Sequence, residues 1–170
     1  ISTVYKLEGK DIGEVLVGKV NALDVIFAGS GNDTVYGFDQ ADILIGEGGN
    51  DDVFGGSGDD FIIAGSGKDN LTGGEGKDSF IFDLSKSGFY DFHSINDFDE
   101  NDDRIFLLSS KFDSKPTIEV LGSNTLLYYK GKKFAEIKDF VSSSFSKEDL
   151  ALVTESSFDY IEDNLHFDIV

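Results

Sequence analysis

Aspartate recurs every nine residues along the first half of this chain, at Asp24, Asp33, Asp42, Asp51, Asp60, Asp69 and Asp78. Carboxylates repeated at a fixed period do not mark a hydrolytic dyad, because no one pair is singled out. They are hard oxygen donors, and a row of them suits a hard divalent cation such as calcium. Glycines surround them in phase: Gly29, Gly31, Gly49, Gly56, Gly58, Gly65, Gly67, Gly74 and Gly76. Glycine accepts positive φ without a steric penalty, which lets turn carbonyls point at a bound ion. Asn32, Asn50 and Asp59 precede three of the aspartates and add side-chain oxygens. All of these are candidate metal-site residues.

The elements that must position them follow from the same period. In nines from Lys19 the blocks read KVNALDVIF, AGSGNDTVY, GFDQADILI, GEGGNDDVF, GGSGDDFII, AGSGKDNLT and GGEGKDSFI. The sixth place is always Asp. The eighth is always apolar: Ile26, Val35, Leu44, Val53, Ile62, Leu71 and Phe80. A unit this short cannot bury a face alone and must stack on copies of itself. It divides into a six-residue turn and a three-residue strand whose middle residue points inward. Two units make one flattened coil, so the aspartates form two columns. One holds Asp24, Asp42, Asp60 and Asp78; the other holds Asp33, Asp51 and Asp69. Stacked parallel strands lie about 4.8 Å apart, and oxygens on opposite sides of a calcium ion lie about 4.6–5.2 Å apart. Five inter-coil calcium sites are expected, three in the first column and two in the second. The gap between Asp60 and Asp78 matches best. The first block lacks glycine, and Phe38 and Gln40 replace it in the third, so their sites should be weaker.

Composition agrees. The chain has 170 residues, no cysteine and a net charge of −19. Such acidity argues against nucleic acid and anionic membrane surfaces as partners, and in favour of cations. No apolar run reaches membrane-spanning length, and no N-terminal signal peptide is visible. The chain opens on Ile1, so a longer parent protein is expected.

The blocks resemble the repeats-in-toxin (RTX, hemolysin-type calcium-binding) nonapeptide family, whose pattern is G-G-x-G-x-D-x-U-x. The resemblance implies a right-handed parallel β-roll over residues 19–82 with calcium in both turn columns. The expected fold class is all-β: lead-in strands over 1–18, the roll, a β-rich capping region over 83–153 with one short helix, and a tail over 154–170. The stretch from Ser94 to Ser109 is similar to the segment that follows the roll in exported RTX proteins. Asp97, Asp99 and Asp103 there are candidates for a further ion. The closing HFDIV is similar to the C-terminal type I secretion signals of the family.

Beyond the roll, TIEVLG, NTLLYY and KKFAEI read as strands, with a hairpin at Tyr129–Lys132. SKEDLALV reads as a short helix capped by Ser146 and Asp149. There is no HExxH motif, and His93 and His166 read as structural. GEGKDS and GSGKDN mimic a phosphate loop, but Asp follows Lys where Ser or Thr is needed. No catalytic residue is expected. The sequence therefore reads as a secreted or cell-surface, non-enzymatic module that folds on extracellular calcium and supports type I secretion of a larger protein. The alternatives are a calcium-rigidified, self-associating adhesin or surface-layer module, and a glycan-binding accessory module using Lys130, Lys132 and Lys133.

Overall fold

The structure is a computed structural model and describes residues 4–85, 92–109 and 111–154. Each nonapeptide strand stacks on the strand two units away, because every second turn returns the chain to the same side. One sheet joins β1 (Val4–Glu8), β3 (Leu23–Phe27), β5 (Ile43–Ile45), β7 (Phe61–Ile63), β9 (Ser79–Asp83), β11 (Arg104–Leu108) and β15 (Leu150–Val153). All pairs within it are parallel. We call it sheet A.

Sheet B joins β2 (Val15–Val17), β4 (Thr34–Asp39), β6 (Asp52–Ser57), β8 (Asn70–Glu75) and β10 (His93–Ile95) in parallel. It continues through β14 (Lys132–Ile137), parallel to β10, and then β13 (Asn124–Tyr129) and β12 (Thr117–Leu121), which are antiparallel. The two sheets face each other. Between them lie the eighth-place residues Ile26, Val35, Leu44, Val53, Ile62, Leu71 and Phe80, all fully buried.

The parallel pairing runs past both ends of the nonapeptide pattern. Residues 4–17 form a coil of their own, with Leu7 opposite Ile26 and Leu16 opposite Val35. Here the lead-in strands are the first rung of both sheets. Its turn, Gly9 to Glu14, lies outside the register of nine because residues 19–22 contain an extra residue. Past residue 82, Ile95 stacks on Leu71 and Ile105 on Phe80, so one more coil closes before the antiparallel strands begin. Phe98, Phe140 and Phe145 meet edge to face at 5.3–5.6 Å and plug this end. The antiparallel hairpin turns at Lys130 and Gly131, both at positive φ.

The expected helix is smaller than its sequence suggests. Ser146 caps a single 3-10 turn, Lys147–Asp149, and the capping box with Asp149 forms. Leu150–Val153 then leaves the helical path and pairs with β11. An open parallel edge offers a row of unpaired amides and carbonyls. Pairing them while burying Leu150 outweighs continuing a short helix. The tail motif HFDIV and His166 lie outside the described residues.

Candidate metal centre: two columns of buried aspartates

The repeat places each aspartate where a turn meets its strand, just before the strand in six cases and as the second strand residue at Asp24, so its side chain faces the neighbouring coil. One carboxylate oxygen reaches the preceding coil's aspartate amide. Asp42 Oδ1 accepts from the Asp24 amide at 2.8 Å, Asp60 Oδ1 from Asp42 at 2.8 Å, and Asp78 Oδ1 from Asp60 at 3.0 Å. In the second column Asp51 Oδ1 accepts from Asp33 at 2.8 Å and Asp69 Oδ1 from Asp51 at 2.9 Å. Asp24, at the start of its column, accepts instead from the Lys19 amide of its own turn.

The other oxygen has no hydrogen-bond partner in any of the seven, although every one of these aspartates is at most 2% exposed. An unsatisfied buried polar atom costs about 1–3 kcal/mol, and more when charged. Burial accordingly pushes Asp42 and Asp51 up to about 7, Asp60 to about 8 and Asp78 to about 6. Neighbouring carboxylates push the same way, and the amide bonds offset this only in part. Asp24 is also raised, by desolvation. Seven orphaned oxygens in register are what a row of hard cations would satisfy.

The turns have the matching shape. Gly55 shows why its place takes no side chain: a Cβ there would run into the Asp60 carboxylate and the Gly73 carbonyl. From the second nonapeptide on, the second and fourth places of the turns hold positive φ, and Phe38 (φ 86°), Gln40 (φ 82°) and Glu47 (φ 64°) adopt it where glycine is missing; Val20 and Ala22 of the first turn do not. The turn geometry is thus kept at a strain of roughly 1–2 kcal/mol per residue. Among the described residues no three His, Cys, Asp or Glu side chains converge on one point. An ion between coils would therefore draw on the aspartates and chiefly on turn carbonyls.

The remaining candidates fall elsewhere. Asn32, Asn50 and Asp59 build an outer ladder, their Oδ1 atoms accepting from the amides of Asn50, Lys68 and Lys77 at 2.9 Å. Asp97 gives both oxygens to the Gly73 and Gly74 amides, at 2.9 and 2.8 Å. Asp99 accepts from the amide and side chain of Asn101, which hold its carboxyl below the usual range. These two cap the last turn and face amides. Asp103 instead continues the first column, accepting from the Asp78 amide at 2.9 Å, but its second oxygen is taken by the Asp99 amide.

Two further residues hold column positions that the register of nine does not show. Glu14 takes the sixth place of the first coil; its amide donates to Asp33 Oδ1 at 2.7 Å. His93 takes that place after Asp69, since Ser94 pairs with Asn70. Its Nδ1 lies 2.9 Å from Asp69 Oδ2. The two atoms are close but form no hydrogen bond. Insertions hide both residues. One falls between Glu14 and Asp33, and a longer one between Asp69 and His93, so neither step equals the two nonapeptides that separate column neighbours within the roll. Asp103 is displaced from Asp78 in the same way.

A parallel roll with carboxylate-lined turns defines a calcium-binding repeat module. Residues 22–53 and 45–80 match the RTX calcium-binding nonapeptide repeat, in four copies, so this chain carries RTX repeats. None of the curated proteins matches it. Among solved structures, the AlgE6R3 subunit from the Azotobacter vinelandii mannuronan C5-epimerase has a similar fold, with a TM-score of 0.50 at 23% identity, over 88% of this chain and 83% of that one.

Proposed function

We propose that this chain is a calcium-dependent folding module at the C-terminal end of a larger exported protein, outside the cell or on its surface. The observation that carries this reading is the set of seven buried aspartates, each with one oxygen lacking a partner. Calcium supplies the positive charge and open coordination positions that these oxygens lack. The aspartates and turn carbonyls at second and fourth places would hold it, in five inter-coil gaps. Without it the columns repel and the chain loses the energy that offsets ordering, about 1–2 kcal/mol per residue. Each inner turn serves two gaps, so ordering one prepares the next and folding is cooperative. Extracellular calcium sites commonly have dissociation constants of about 10⁻⁴–10⁻³ M. The chain would stay unfolded in a calcium-poor cytosol, as the type I secretion machinery requires, and fold outside. Residues 83–153 would close the roll's open end.

The glycan-binding alternative rests on likeness to an epimerase subunit, but its basic cluster is internally engaged. Lys130 pairs with Asp113 at 2.8 Å, and Lys133 pairs with Glu136 at 3.3 Å and lies over the Phe92 ring. No comparable observation favours the adhesin alternative.

The test is far-UV circular dichroism during calcium titration of stripped protein, with magnesium as control. A cooperative gain of β signal between micromolar and millimolar calcium, absent with magnesium, is expected. A protein already folded and indifferent to calcium would sink the proposal.

A further inference from the structure

The two sheets differ on their outer faces. On sheet B the outward seventh and ninth places hold Thr34, Tyr36, Asp52, Phe54, Asn70 and Thr72, none of them buried. On sheet A they hold Val25, Phe27, Ile43, Ile45, Phe61, Ile63 and Ile81. There Val25 and Ile43 are 2% exposed, and Ile81 and Leu108 are 0% exposed. The cluster they form contains, among the described residues, only members of sheet A itself. One face of one sheet cannot bury itself to this degree. Burial of that depth calls for a further layer.

We propose that this layer is the chain's own C-terminal tail, residues 155–170. Strand β15 ends at Val153, which is in register with Leu108 at the rim of the apolar face. The tail leaves from there. The face runs from β3 to β11, four strand spacings or about 19 Å. Sixteen residues reach about 24 Å as a helix and further when extended. The other undescribed segments do not suffice. Residues 1–3 are too few, and residues 86–91 form a six-residue segment between described residues 85 and 92. The tail is also apolar enough: it holds Phe158, Tyr160, Ile161, Leu165, Phe167 and Ile169. Phe158, Ile161, Leu165 and Ile169 recur at helical spacing.

The consequence deepens the proposed function and rests on it. The segment expected to address the export machinery becomes part of the folded core. It is accessible while the roll is unfolded and covered once calcium has folded it. Calcium outside the cell would then both complete folding and withdraw the export signal.

Hydrogen–deuterium exchange on the full calcium-loaded chain tests this. Amides in 155–170 should exchange at least tenfold more slowly than in the free peptide of the same sequence. The double substitution Ile161→Asp and Leu165→Asp should abolish that protection and raise binding of an apolar dye, while leaving the calcium-induced circular dichroism in place. Free-peptide exchange rates in the wild type would overturn the proposal, and so would a dimer by light scattering whose tail is unprotected, since a second copy would then cover the face. Calcium-induced folding with an unprotected tail sinks only the docking. A protected tail on a chain indifferent to calcium sinks only the export reading.

Discussion

Removing calcium should make this fold depend on acid. In the ion-free roll, burial carries Asp42 and Asp51 from 3.8 to about 7, Asp60 to about 8 and Asp78 to about 6. The folded state therefore keeps protons that the unfolded chain gives up. Stability from this source is fully present below pH 3.8 and is lost as pH rises through about 6 to 8. Each tenfold change in proton affinity is worth about 1.4 kcal/mol. Four such groups, discounted for coupling and for solvent at the turn edges, sum to on the order of 10 kcal/mol. That rivals the whole stability of an ordinary domain, about 5–15 kcal/mol. Protein stripped of calcium on a resin should show β signal at about pH 5 and lose it by about pH 8, at constant ionic strength. Adding millimolar calcium at the higher pH should restore it. The binding should release protons, visible by calorimetry in two buffers of different ionisation enthalpy. Stripped protein equally folded at both pH values, or folded only at the higher one, would refute the reasoning.

Three further outcomes follow from single contacts. Asp60→Asn should raise the calcium concentration for half folding by tenfold or more, because two gaps share this residue, whereas Asp59→Asn on the outer ladder should shift it less than twofold. Phe80→Ala should cost about 3–5 kcal/mol, read as a drop in Tm of the calcium-loaded protein, because Phe80 is fully buried between the sheets. His93→Asp should raise by one the number of calcium ions counted by native mass spectrometry. In the wild type, Nδ1 at 2.9 Å from Asp69 Oδ2 leaves no room for an ion between them; an unchanged count would show that His93 does not end its column.

The expectations that came from the period of nine agree with the structure where the period holds. From Lys19 to Ile81 the stacking, the inward eighth place and both aspartate columns are present as read. The pattern is local there, and every coil is built by repetition of one rule. Outside the repeat the sequence misleads for a physical reason: coil membership is decided by which backbone edge is open and not by spacing. Leu150 to Val153 reads as helix yet pairs with β11. Glu14, His93 and Asp103 stand in the columns only because insertions are looped out of the stack. Asp97 and Asp99 look like ligands, but β10 of the following coil ends at Ile95, short of Gly73 and Gly74, and Asp97 satisfies their amides.

The sequence by itself determined the repeat, the two columns and the chemistry of their oxygens, because alternation in a strand and recurrence of a turn are properties of neighbours along the chain. Only the tertiary structure decided where each column stops and which acids are buried with an oxygen left over. It also decided that sheet A carries an apolar outer face needing cover. Those depend on what lies one coil away, which is two nonapeptides along the chain inside the roll and a longer, irregular step at its end.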